Sequence, residues 1–152
     1  ILMRYEKDFE DFIKSLNKNK VKYCIIGAFA VGLYGYPRYT GDIDILVEPS
    51  AENAKKVIKA IREFGFKSLD LTEKDFSQEN KVIQLGYEPV RIDLITSLGG
   101  ITFKEIWKHR EEGIYGKVKV YFIGRNELIR SKKLANRPQD KIDINKLFKR
   151  RS

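Results

Sequence analysis

Asp42 and Asp44 stand two residues apart in RYTGDIDILV, a run that otherwise reads as a buried apolar strand. On a strand, residues i and i+2 point to the same face, so the two carboxylates project together with Cα atoms roughly 6 to 7 Å apart. Ile43, Ile45 and Val47 take the opposite face. Asp is disfavoured in strands and neighbouring like charges repel, so the pair is unfavourable unless something cancels its charge. A hard divalent cation does so, and Mg²⁺ in particular combines one or two carboxylates with phosphate oxygens and water. Two such ions held about 3.5 to 4 Å apart, for an in-line displacement at phosphorus, call for a third acid. Asp93 is the best candidate, because it interrupts the apolar run VRIDLI just as Asp42 and Asp44 interrupt theirs. Asp70, Asp75 and Glu88 fall in less regular segments. The plainer alternative is that the acids decorate an exposed sheet edge.

Upstream, the strand-like VKYCIIG ends at Gly27 and a short helix begins at Ala28. Free backbone N–H groups and the helix dipole at such a junction favour an anion, and a triphosphate would fit there. Taken alone, a strand, a glycine and a helix make a common chain reversal. The order gives it more weight: a glycine turn, a helix, a loop carrying Arg38 and Thr40, then Asp-x-Asp on a strand set phosphate donors beside a metal site. Tyr34, Tyr36 and Tyr39 flank this region, where they either stack on a base or pack the loop.

The elements that must hold these residues follow from periodicity. Phe9, Phe12, Ile13 and Leu16 recur at helical spacing, which predicts an amphipathic helix near residues 4 to 18. Ser50 is an N-cap for a helix whose face carries Ala54, Val57, Ile58 and Ile61 and which ends near Gly65. FKSLDL reads as a short strand, and KVIQLGY and PVRIDLI as two strands joined by a turn at Glu88 and Pro89. ITFKEIWKHR reads as a helix, GKVKVYFIG as a strand, and residues 125 to 134 and 138 to 150 as closing helices, the last with Pro138 in its first turn. Alternating helices and strands predict an α/β (α+β) domain with a mixed sheet flanked by helices. The 152 residues fit a single domain, with a core over about 21–123 and a C-terminal helical extension over about 124–152.

Composition narrows the function classes. Cys24, the single cysteine, excludes an intrachain disulfide, and one Cys with one His cannot build a standard zinc site. His109, in WKHRE, reads as a helix-surface residue rather than a base. No apolar stretch approaches the roughly 20 residues of a membrane span, nor do the first residues resemble a signal peptide, so a cytoplasmic protein is expected. The patterns of P-loop, Rossmann and hydrolase-elbow sites are missing. Of the net charge of +9, much lies at the end, where residues 123–152 hold ten Lys or Arg against three acids. Attraction to phosphates and a solubilising lysine surface are equal explanations. Lys133, Arg137 and Lys141 lie where a basic closing helix could reach a nucleotide or a nucleic-acid acceptor, while Asp140 and Asp143 favour their helix N-terminus or pair with nearby bases.

The stretch IIGAFAVGLYGYPRYTGDIDILV resembles the signature of the DNA polymerase beta-like nucleotidyltransferase superfamily, which carries Gly-Gly or Gly-Ser, a short helix, Asp-x-Asp and a third Asp on a later strand. It is most similar to the small AbiEii and MNT type, some members of which are toxin or antitoxin components. RPQDKIDINKL looks like the terminal helix of that group. The resemblance implies Mg²⁺-dependent transfer of NMP from an NTP, ATP foremost, to an acceptor hydroxyl on a protein, RNA or small molecule. Two Mg²⁺ ions, or Mn²⁺ in their place, would be held by Asp42, Asp44 and Asp93, with Asp93 also helping to activate the acceptor. Gly27 and Ala28 would cradle the β- and γ-phosphates, and Arg38 would neutralise the leaving pyrophosphate. A partner toxin or antitoxin chain is implied as well. Ala28 departs from the family's second Gly or Ser: it keeps the backbone N–H and loses a hydroxyl, so weaker nucleotide binding is expected. The rival reading is a non-catalytic, antitoxin-like or nucleic-acid-binding module that keeps the fold.

Overall fold

The computed structural model of the chain describes residues 7–36, 41–66, 70–87 and 90–149. The first helix, α1 (Lys7–Lys18), buries Phe9, Phe12, Ile13 and Leu16, the four residues whose spacing predicts it. β1 (Tyr23–Ile26) follows and passes directly into the short α2 (Gly27–Leu33). β2 (Asp42–Val47) precedes α3 (Ala51–Phe64), whose N-cap Ser50 accepts a hydrogen bond from the Asn53 amide and whose C-cap is Gly65. After the four-residue α4 (Lys74–Ser77) come β3 (Val82–Tyr87) and β4 (Val90–Ile95). The chain closes with α5 (Phe103–Lys108), β5 (Glu111–Tyr115), β6 (Val118–Phe122), α6 (Arg125–Ala135) and α7 (Pro138–Lys149). Among the described residues no helix is long and apolar enough to cross a membrane.

Six strands form one mixed sheet in the order β3-β4-β2-β1-β6-β5. β2 is antiparallel to β1 and parallel to β4, so it sits between the strand that leads into Gly27 and the strand that carries Asp93. Tyr23 pairs with Val47 and Ile25 with Ile45, and the Tyr23 hydroxyl donates to Asn17 Oδ1 of α1 at 2.9 Å, which turns this face of the sheet toward α1. Ile43, Ile45 and Val47 are all buried, at roughly 1.5 to 3 kcal/mol each, and this burial fixes the register that leaves the alternate residues of β2 for the opposite face. Asn53, itself buried, locks the sheet to α3. It accepts from the Lys22 amide at 2.9 Å and donates to the Lys22 and Glu48 carbonyls at 3.1 Å each.

The structure departs from the periodicity at two places. β5, EEGIY, has no clean apolar alternation because it is an edge strand with one side on β6 and most side chains in solvent; Gly116, at φ +63°, starts the two-residue turn between them. The expected strand at FKSLDL falls partly on residues 67–69, outside the described residues, and the chain beyond it turns into α4 around the buried Phe76.

Candidate active site

The parallel pairing of β2 with β4 sets Asp44 directly opposite Asp93 and Asp42 directly opposite Arg91. Each strand alternates, so Asp42, Asp44, Arg91 and Asp93 share one face while Ile43, Ile92 and Leu94 are buried on the other. Carboxylate oxygens of Asp42, Asp44 and Asp93 lie within 4.8 Å of one another. The convergence follows from two apolar strands in one register, each interrupted at matching positions.

Burial first, then the negative charges of Asp42 and Asp93, raise the Asp44 carboxyl from its usual range to about 6; Arg91 opposes them. The Arg91 guanidinium is a local counter-charge. Its Nη2 donates to Asp42 Oδ2 at 2.7 Å and to Asp93 Oδ2 at 3.0 Å, tying together acids from two strands. The sequence reading passed over Arg91, although its place two residues before Asp93 puts it on the same face and is a usable signal.

Gly27 lies beside Asp44. It has φ +71°, and a Cβ built on it would stand 2.5 Å from Asp44 Oδ2. Only glycine meets both the conformation and the space. The cap of α2, Ile26, offers no side-chain hydrogen bond to the first turn, so the amides there are not taken up by a capping side chain. Ala28 follows at the second position of α2. Arg38 and Thr40 lie outside the described residues, as do Tyr39 and the Glu88–Pro89 turn.

The donor set suits a hard divalent cation. It consists of oxygen ligands only, it brings three carboxylates together, and Asp93 Oδ1 is buried without a hydrogen-bond partner among the described residues. Residues Asp42, Asp44 and Asp93 would hold such an ion, and the missing Cβ of Gly27 keeps the space beside Asp44 Oδ2 open.

The closing helices are tied together by a buried ion cluster. Lys132 Nζ lies 3.3 Å from Asp140 Oδ1 and 3.0 Å from Asp143 Oδ2, with all three side chains at most 5% exposed. Arg137 caps the cluster through Asp140, with Nε at 2.7 Å and Nη2 at 3.2 Å, while its own side chain is largely exposed. Burial acts against the Asp140 carboxylate, but the Arg137 side chain and amide together with Lys132 outweigh it and lower the group to about 2. Arg137 is raised in turn, chiefly by Asp140 and with a contribution from Asp44, so the start of α7 lies within the field of the acids. Arg137, one of the basic residues expected near a nucleotide, is thus linked electrostatically to Asp44. Lys133 stands over the Phe148 ring instead.

Other residues turn away. The Tyr34 hydroxyl donates to the Ile123 carbonyl at 2.8 Å and its ring packs edge-on against Phe122, so loop packing and not base stacking accounts for it. Tyr36 is partly buried against the core. His109 ends α5 and places Nδ1 3.1 Å from Glu127 Oε2.

A family model described as a nucleotidyltransferase of unknown function (DUF6036) matches residues 2–148. A comparison with curated proteins gives no match. Among solved structures, a candidate nucleotidyltransferase from Thermotoga maritima is similar at a TM-score of 0.63 with 15% identity, covering 98% of each chain. The lincosamide antibiotic adenylyltransferase LnuA, in its lincomycin-bound form, is similar at a TM-score of 0.63 with 18% identity, covering 97% of this chain and 98% of its own. At these identities the likeness is one of fold, and it agrees with the mixed sheet flanked by helices.

Proposed function

The chain belongs to a family of nucleotidyltransferases of unknown function, and from that membership we propose that it moves a nucleoside monophosphate from an NTP, ATP foremost, to an acceptor hydroxyl. The observation that carries this reading is the register of β2 on β4, which brings three carboxylates from two neighbouring strands within 4.8 Å. A bound divalent cation, Mg²⁺ or Mn²⁺, supplies charge neutralisation to the polyphosphate and to the attacking oxygen. The amides of Gly27 and Ala28, beside Asp44, bind the β- and γ-phosphates. Arg38 and Thr40, which lie outside the described residues, belong to the same proposed phosphate-binding set. Asp93 accepts the proton of the acceptor hydroxyl as its oxygen attacks the α-phosphorus, the bond from that phosphorus to the bridging oxygen breaks, and pyrophosphate leaves. Positioning and charge compensation supply most of the rate enhancement in this chemistry.

Proteins, RNA and small molecules are all acceptor classes for this reaction. The structural neighbour LnuA is an adenylyltransferase for a lincosamide antibiotic, which supports the small-molecule class as one to test. Three of the ten basic residues over 123–152 are engaged in ion pairs, Lys132 and Arg137 on Asp140 and Arg130 on Glu105, so the rival nucleic-acid-binding reading is tested by the salt dependence of RNA or DNA binding. The test is incubation of the protein and its Asp44→Asn variant with each labelled NTP, Mg²⁺ or Mn²⁺, and a cell extract. Metal-dependent labelling of an acceptor by the parent and not by the variant is expected. Equal labelling by both would remove the mechanism.

A further inference from the structure

A second set of charged side chains lines a cavity of about 800 Å³ apart from the three acids. Its walls carry Tyr34 at the end of α2, His109, Arg110 and Glu111 where α5 passes into β5, and Arg125 and Glu127 in the first turn of α6. β6 runs parallel to β1 with Ile25 opposite Phe122, so Gly27 and Gly124, each two residues further on, leave the same rim of the sheet. The Tyr34 hydroxyl, bonded to the Ile123 carbonyl, ties the end of α2 to that rim. In the strand order β4-β2-β1-β6 the cavity stands three strand spacings from Asp93, or roughly 15 Å.

The two arginines set this cavity apart. Arg91, Arg130 and Arg137 each hold a carboxylate, whereas among the described residues neither Arg110 nor Arg125 has an ion-pair partner, and the Nε of each is buried without a hydrogen-bond acceptor. Both are nevertheless fixed in place. The Arg110 guanidinium lies 3.7 Å from the centre of the Trp107 ring and its Nη1 donates to the Trp107 carbonyl at 2.8 Å, while the Arg125 guanidinium stands 5.5 Å over the Tyr34 ring. A ring contact engages the face of a guanidinium and leaves its N–H fork for an oxyanion, whose geometry the fork matches. Of the two acids in the lining, Glu127 is taken up by His109 Nδ1 at 3.1 Å, which leaves Glu111 to oppose two guanidiniums. From this arrangement we propose that the cavity is an acceptor subsite in which Arg110 and Arg125 grip a phosphate group of the acceptor. The acceptor role rests on the nucleotidyltransferase reading above. The separation from Asp93 sets the reach, with the reacting hydroxyl roughly 15 Å from the gripped phosphate. A phosphomonoester on an extended molecule and a backbone phosphate of RNA offer the same chemistry, and the test separates them.

Trp107 is the single tryptophan of the chain and stacks on Arg110, so its fluorescence reports on this cavity. The metal-free protein is titrated with inorganic phosphate, against sodium chloride at equal ionic strength. A saturable change is expected for the parent, with affinity about tenfold weaker in Arg125→Gln and about threefold weaker in Arg125→Lys, which keeps the charge and loses the fork. Circular dichroism checks folding, and Arg125→Lys decides the matter if Arg125→Gln does not fold. In a second arm, the cell extract of the labelling assay is treated with a phosphatase or with a ribonuclease, each removed before ATP and Mg²⁺ are added. Loss of labelling after the phosphatase assigns a phosphomonoester, and loss after the ribonuclease assigns RNA. No fluorescence response of the parent, or equal affinity in the folded variants, would overturn the anion site, and labelling that survives both treatments would overturn the phosphate-bearing acceptor; either result leaves the enzyme reading intact. Phosphate binding as expected with no labelled acceptor under any condition would overturn the enzyme reading and with it the acceptor role of the cavity.

Discussion

Replacing Asp44 by Asn is expected to abolish transfer and at the same time to stabilise the metal-free protein. The Asp44 carboxyl is raised from 3.8 to about 6 by burial and by the charges of Asp42 and Asp93. One pKa unit corresponds to about 1.4 kcal/mol, so keeping this group ionised at pH 7 costs the fold up to about 3 kcal/mol. Asn is close in shape to the carboxyl and carries no charge, so it removes that penalty. For a chain of this size each kcal/mol moves the melting temperature by about 2–4 °C, which sets an expected gain near 6–12 °C. The pH dependence identifies the cause. A carboxyl with a raised folded-state pKa binds its proton more tightly in the folded protein, so its contribution is most favourable below 3.8 and is lost as pH rises through about 6. The advantage of the variant should be full at pH 7 and above, shrink between pH 6 and 4, and vanish below. Differential scanning calorimetry in a chelator, from pH 4 to 8, reads this directly. A variant that melts below the parent at pH 7, or a difference that does not change with pH, would refute the electrostatic reasoning.

Gly27→Ala is expected to be strained by about 1–2 kcal/mol through the backbone, since φ is +71°, and to push the Asp44 carboxylate aside. Thermal melting should fall, and metal-dependent transfer should drop by more than about a hundredfold, because a misplacement of about 1 Å has that effect. Lys132→Met leaves the buried Asp140 and Asp143 without their shared ammonium and should destabilise the protein by about 3–5 kcal/mol in urea unfolding, with Asp143→Asn in the same chain recovering part of the loss. Ser50→Ala removes the N-cap bond of α3 and should cost about 1 kcal/mol without changing transfer.

The triad was legible in the sequence because it breaks a rule: Asp42, Asp44 and Asp93 stand where apolar strands should have apolar or neutral residues, and both interruptions fall on the same strand face. Gly27 was legible by its place at a strand-to-helix junction, but its closeness to Asp44 arises from the pairing of Ile26 with Asp44 and is a property of the folded sheet. Arg91 shares a strand face with Asp93 by its i, i+2 spacing, which the sequence shows, but its pairing with Asp42 arises only from the register of β4 on β2. The edge strand β5 escaped because its burial lies on one side only, so alternation is weak where Glu111, Glu112 and Ile114 face solvent. Lys132 was hidden for the opposite reason: a buried lysine is rare, and its two acid partners lie on the next helix rather than at helical spacing on its own.

The central claim is that an α-phosphorus is transferred at the site built by Asp42, Asp44 and Asp93. Parallel reactions with α-labelled and γ-labelled ATP, Mg²⁺ and a pool of acceptors, run with the parent and with Asp93→Asn, test it most directly. The account predicts acceptor label from α-labelled ATP alone, pyrophosphate carrying the γ-label, and neither product from the variant. Acceptor labelled from the γ-position, or undiminished α-transfer by Asp93→Asn, would contradict it.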